Sequence, residues 1–179
     1  MNPRALALAA LLPASFVFAH DFGGSVSQAR MAASTTIEID PGKVLSIAHN
    51  ALHWRADVLG RVKSGQSKQR YAPHSWYNKV AAAQVPAEMV LGGKAIVRGE
   101  WTVSVKIPGD DTSRFLLEWK QGDKIVDVPL DMQGGNDVED HLLFALTPRG
   151  GADSKAFELK VYYGDLRAAV EGSFGGQPQ

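Results

Sequence analysis

The chain has 179 residues, with 19 basic and 19 acidic side chains, five histidines and no cysteine. A formal net charge of zero leaves no overall field to gather nucleic acid or an anionic membrane. The missing cysteines exclude disulfide staples, thiol catalysis, thiolate metal sites and a lipid-modified N-terminal cysteine, so the fold must hold by packing alone.

The first elements describe an export signal. Met1 to Arg4 is a short positive n-region, Ala5 to Leu12 an apolar h-region, and Pro13 breaks the helix before Val17-Phe18-Ala19. Cleavage after Ala19 makes His20 the new N-terminus. The apolar run is shorter than the roughly twenty residues a membrane helix needs, and no later segment approaches that length. Residues 1–19 are therefore expected to be a signal peptide, and the product a periplasmic or secreted bacterial protein. Removing 19 of 179 residues leaves 160, one domain's worth of chain. A chain of that size buries about 70% of its unfolded surface.

Residues 20–34 are rich in Gly, Ser and Ala without periodicity and read as a flexible arm. Thr35 to Ile39 alternates like a strand, and Asp40-Pro41-Gly42 is a turn in which Pro fixes φ and Gly permits a positive one. Val44 to Val62 is ambiguous. Leu45, Ile47, His49 and Ala51 alternate as in a strand, while Ile47, Ala51, Trp54, Val58 and Val62 recur as in a helix. A strand followed by an irregular segment is favoured. Ser64 to Asn78 is polar and breaker-rich, a long loop of the kind that is functional or disordered.

From Glu88 onward short apolar runs recur at the spacing of a sandwich or barrel. They are Met89 to Leu91, Trp101 to Ile107, Phe115 to Trp119, Ile125 to Leu130, Leu142 to Leu146, Phe157 to Tyr163 and Leu166 to Val170. Gly92-Gly93, Gly109-Asp110, Gly122-Asp123, Gly150-Gly151 and Gly164-Asp165 punctuate them, the last reading as a tight hairpin. The expected fold is all-β, an antiparallel β-sandwich of about eight to ten strands over residues 35–174, with 175–179 a disordered tail.

Three segments carry a likeness: MVLGGKAIVRGEWTVSVKI (Met89 to Ile107), FLLEWKQGDK, and the closing FELKVYYGDLRAAVEGSF. With Gly92-Gly93-Lys94 as a turn and Gly99-Glu100-Trp101 opening the next strand, they resemble the bacterial secreted β-sandwich family known as domain of unknown function 2911. The resemblance implies a sandwich fold and an exported location; that family's biochemical role is itself unassigned. Trp76 to Glu88 keeps an aromatic residue and Glu88 but lacks the family's Gly-x-Asn-Glu pattern.

Charge is unevenly spread. Arg55 to Lys79 holds six basic residues against Asp57, whereas Glu100 to Asp140 holds ten acidic against four basic. Within the basic stretch Arg70, Tyr71, His74, Trp76 and Tyr77 offer cationic groups for phosphate or carboxylate and flat rings for stacking. Core-capping rings and solvated charges would give the same pattern. A mature N-terminal His20 can chelate Cu(II) through its α-amino group and imidazole, with His49, His53, His74 or His141 completing a nitrogen site. His49 and His53, four apart, would share a face on a helix and could clamp a metal there, but on a strand, the favoured reading, they lie about 13 Å apart and are an ordinary pair of partly buried histidines. Asn136-Asp137-Val138-Glu139-Asp140, with Asp131, has oxygen ligands but not the spaced ladder of a calcium loop, and reads as a solvated loop. No Gly-x-Ser-x-Gly elbow or phosphate loop is present. The reading is a non-enzymatic, monomeric binding or accessory protein of the cell envelope. Its partner would be an envelope component or small ligand, with no nucleic acid and no resident cofactor; the alternative is a copper-binding protein built on His20.

Overall fold

The computed structural model describes residues 32–53, 77–106, 115–151 and 154–175, and every regular element among them is a strand. In chain order these are β1 (Ala32–Asp40), β2 (Lys43–Asn50), β3 (Tyr77–Val85), β4 (Met89–Leu91), β5 (Lys94–Ile96), β6 (Gly99–Lys106), β7 (Phe115–Gln121), β8 (Lys124–Leu130), β9 (Gln133–Arg149) and β10 (Ala156–Phe174). They form a six-stranded sheet in the order β1-β2-β3-β6-β7-β8 and a four-stranded sheet in the order β5-β4-β10-β9. All pairings are antiparallel. The protein is thus the expected all-β sandwich. No helix among the described residues is long and apolar enough to cross a membrane.

Alternation builds the core. Leu45 and Ile47 on β2, Trp101, Val103 and Val105 on β6, and Phe115, Leu117 and Trp119 on β7 all turn inward and are buried. Phe144, Phe157, Leu159 and Val161 meet them from the facing sheet. Trp101 and Trp119 pack edge to face with centroids 6.5 Å apart. Burial of each large apolar side chain stabilises by about 1.5–3 kcal/mol, which makes this layer the main source of stability. The sheets also meet at their edges: β1 runs beside β9, where the Leu146 N–H donates to Thr35 Oγ1 at 3.0 Å, and β8 runs beside β5.

The tight turns are where Gly and Pro place them. Asp40 pairs with Lys43 around Pro41-Gly42, Leu91 with Lys94 around Gly92-Gly93, and Gln121 with Lys124 around Gly122-Asp123. Over Val44 to Val62 the strand reading holds to Asn50, and residues 54–62 lie outside the described residues.

Four expectations are corrected. β1 begins at Ala32, so the end of the 20–34 arm is strand. β3 occupies part of the expected loop and an Ala-rich stretch with no strand signal. Gly164-Asp165 is not a hairpin, because β10 runs on through it. Gly164 takes φ +63° and kinks the strand rather than reversing it. The acidic run Asn136 to Asp140 is strand, not loop. Between the pairs Tyr162–Leu143 and Leu166–Gly134 the chain advances four residues on β10 and nine on β9. The surplus residues of β9 interrupt the regular ladder there.

Candidate functional site

The six-stranded sheet has two unlike outer halves. Towards β8 the register aligns Ser104, Glu118 and Asp127, and Lys106 Nζ closes on the two carboxylates at 3.2 Å each. Burial alone would lower the Lys106 pKa, but hydrogen bonds and charge from Glu118 and Asp127 outweigh it and hold it above the ordinary value. Side chains cover the sheet there, one ammonium being shared by two carboxylates.

Towards β2 the outward side chains are small. Ala48, Ala82, Thr102 and Lys120 form one row across four strands, and Ser46, Gln84 and Glu100 form the next. The floor of Ala48, Ala82 and Thr102 leaves an open depression of about 510 Å³, rimmed by Lys79, Gln84, Glu100 and Lys120. That size lies within the range of ligand sites. Thr102 Oγ1 donates to the Lys120 carbonyl at 3.2 Å, so its lone pairs remain available as acceptors. The rim carries two lysine side chains, a carboxylate and an amide around a floor of small side chains.

Lys79 reaches this rim through an irregularity. Between Tyr77–Val105 and Ala81–Val103 the chain advances four residues on β3 and two on β6. Lys79 takes φ +51°, a left-handed conformation uncommon for a residue with a Cβ, and its N–H donates to Ser104 Oγ at 2.9 Å. Both Val80 and Ala81 are buried as a result. A strained backbone of this kind persists only where surrounding contacts over-determine it.

Of the residues singled out in the sequence, Tyr77 opens β3 two positions before Lys79. Arg70, Tyr71, His74 and Trp76 precede it and, like His20, lie outside the described residues. His49 is buried on β2. Its Nε2 accepts the Phe144 N–H at 3.4 Å, and Nδ1 has no hydrogen-bond partner. Burial lowers its pKa, and the Ile47 backbone offsets part of this. His53 does not join His49; it bridges to His141 on β9, with ring centroids 5.2 Å apart. No group of three or more His, Cys, Asp or Glu gathers as a metal site among the described residues.

A second cleft of about 740 Å³ lies where β4, the end of β8 and the β9–β10 connection meet. Its main cation is already engaged, since Arg149 faces Glu158 and Glu171 at 3.6 Å each. The depression on the outer sheet face, floored by small outward side chains held in register on β2, β3 and β6, is the candidate site. Sequence reasoning missed it, although Ser46-x-Ala48 at outward positions of a strand is a signal of a bare sheet face. No protein-family model, curated protein or solved structure matches the chain.

Proposed function

We propose that the protein is exported, loses residues 1–19, and acts in the cell envelope as a non-enzymatic binding or accessory protein. Its contact surface is the outer face of β2, β3, β6 and β7. One observation carries the reading: the depression of about 510 Å³ over Ala48, Ala82 and Thr102, ringed by polar and charged groups. The aromatic and basic residues from Arg70 to Tyr77 support it, because the chain passes from them directly into the rim residue Lys79. Thus the stacking and cationic groups expected from the sequence and the depression are contiguous along the chain. The partner is an envelope component or a small ligand with exposed acceptor and donor groups.

Two measurements test the proposal. Intact mass of the protein recovered from the periplasm of a bacterial host should begin at His20, and retention of the leader in the cytoplasm would overturn the exported reading. A photo-crosslinking amino acid at Gln84 or Lys120 should give a discrete adduct in the envelope fraction, whereas the same group at Lys160, on β10 of the facing sheet, should not. Equal labelling at all three positions would remove the depression as the contact surface.

A further inference from the structure

We propose that His53 and His141 form a two-imidazole site for a divalent transition-metal ion, with zinc the best geometric match. The two residues are far apart in the sequence and meet as an antiparallel bridge between the segment after β2 and the bulged part of β9. Their rings are tilted by 59° with centroids 5.2 Å apart. Two imidazoles bonded to one tetrahedral zinc at ~2.0–2.1 Å have ring centroids roughly 5 Å apart, once the size of the rings is added. The observed pair has that spacing.

The backbones that carry the rings are held from both sides. The Leu142 N–H donates to the Leu52 carbonyl at 2.8 Å, and the Tyr163 hydroxyl donates to the His53 carbonyl at 3.3 Å. The backbone under each ring is thus already placed, which leaves the side-chain rotamers for the metal to fix. His53 is exposed and His141 half-buried, so an ion has access and water can fill its remaining positions. Glu139 and Asp140 immediately precede His141 and make the local field favourable to a cation. His49 is not a ligand, since it is buried with Nε2 already accepting a hydrogen bond. The site is separate from the lining of the outer-face depression and does not depend on what binds there.

Zinc titration calorimetry on the full exported chain decides the matter, in a His20→Ala background that removes any chelate at the mature N-terminus. One zinc ion per chain is expected, with at least about a tenfold loss of affinity in His53→Ala and again in His141→Ala. Zinc should raise the melting temperature of the parent and not of either variant. Cobalt substitution should give the visible absorption of a tetrahedral site. If His141→Ala fails to fold, His53→Ala, which alters an exposed side chain, decides alone. Absence of zinc binding by the parent, or unchanged affinity in His53→Ala, would overturn the proposal, as would sensitivity to only one of the two substitutions when both variants fold.

Discussion

Phe144 on β9 donates its backbone N–H to Nε2 of His49 on β2, across 95 residues of sequence and between the two sheets. The same rings pack edge to face at 5.2 Å. An acceptor at Nε2 requires that nitrogen to be unprotonated, so the contact selects neutral His49. Burial acts in the same direction, lowering the pKa from 6.5.

Stability should therefore fall in mild acid. Because the folded pKa is depressed, the unfolded chain binds the proton more readily. The contribution of His49 is fully present above about pH 6.5 and is lost progressively as pH falls towards the folded value. Melting temperatures at pH 7.5 and 5.5 should differ, and His49→Gln should flatten the dependence while keeping an acceptor for the Phe144 N–H. An unchanged pH slope in His49→Gln would show that other groups carry the effect.

Asp40 gives a second, lower window. Its carboxylate receives Lys155 at 3.1 Å and Lys43 at 3.4 Å, joining the β1–β2 turn to the segment before β10. The Lys155 hydrogen bond, followed by that from Lys43, holds its pKa below 3.8 despite the opposing effect of burial. Here stability is present above the unfolded pKa near 4 and is lost as pH falls through the folded value. Asp40→Asn should cost little at pH 7, since exposed ion pairs are weak, and the cost should shrink further in high salt. Chemical denaturation at two salt concentrations would test this, and a penalty insensitive to salt would contradict it.

Gly92 and Gly93 share a turn yet should not tolerate substitution equally. Both have positive φ, +55° and +75°. A Cβ on Gly92 would meet Val128 Cγ1 at 2.9 Å and Val170 Cγ1 at 3.0 Å, whereas one on Gly93 would meet nothing within 4 Å. Gly93→Ala should cost about 1–2 kcal/mol from backbone strain alone. Gly92→Ala should add a further ~1–3 kcal/mol of overpacking against the two valines. Equal losses in denaturation would mean that the valines yield without strain.

Trp119 separates volume from polarity in the core. It is wholly buried, but its indole N–H has no hydrogen-bond partner. Trp119→Ala should cost about 3–5 kcal/mol through lost contacts and a cavity. Trp119→Phe keeps an aromatic ring against Trp101 and removes a donor whose isolation costs ~1–3 kcal/mol, so its net loss should stay below about 1.5 kcal/mol. Ile125→Ala, at a site 55% exposed, should change stability by about 0.5 kcal/mol or less. A loss in the Phe variant well above that ceiling would show that relief of the isolated N–H does not offset the lost volume.

Local chemistry explains which parts of this architecture were legible. Asp40-Pro41-Gly42 and Gly92-Gly93 announce turns because the backbone there needs what Pro and Gly supply. Val103 and Leu117 announce their strands by period two. β3 was hidden because Ala81, Ala82 and Ala83 carry little strand propensity and owe their conformation to pairing with β2 and β6. Gly164-Asp165 looks like a turn locally, and only the surplus length of β9 makes it a kink. The pairing of His53 with His141 could not be read from spacing, since it depends on the bulge in β9.

The depression offers the sharpest test of function. Ala82 lies at its centre, flanked by Ala48 and Thr102 in register, and its side chain points away from the core. Ala82→Trp would fill the floor from an outward position, so stability should change by about 0.5–1 kcal/mol at most, and a large aromatic on a strand can even gain cross-strand contacts. Crosslinking from Gln84 or Lys120 should nevertheless fall at least about tenfold, equivalent to ~1.4 kcal/mol of binding. Ala82→Ser, which keeps the floor low, should retain the adducts. If Ala82→Trp folds normally and crosslinks as before, the partner does not descend to the sheet. The contact surface would then have to be sought at the rim or at the aromatic and basic residues ahead of β3.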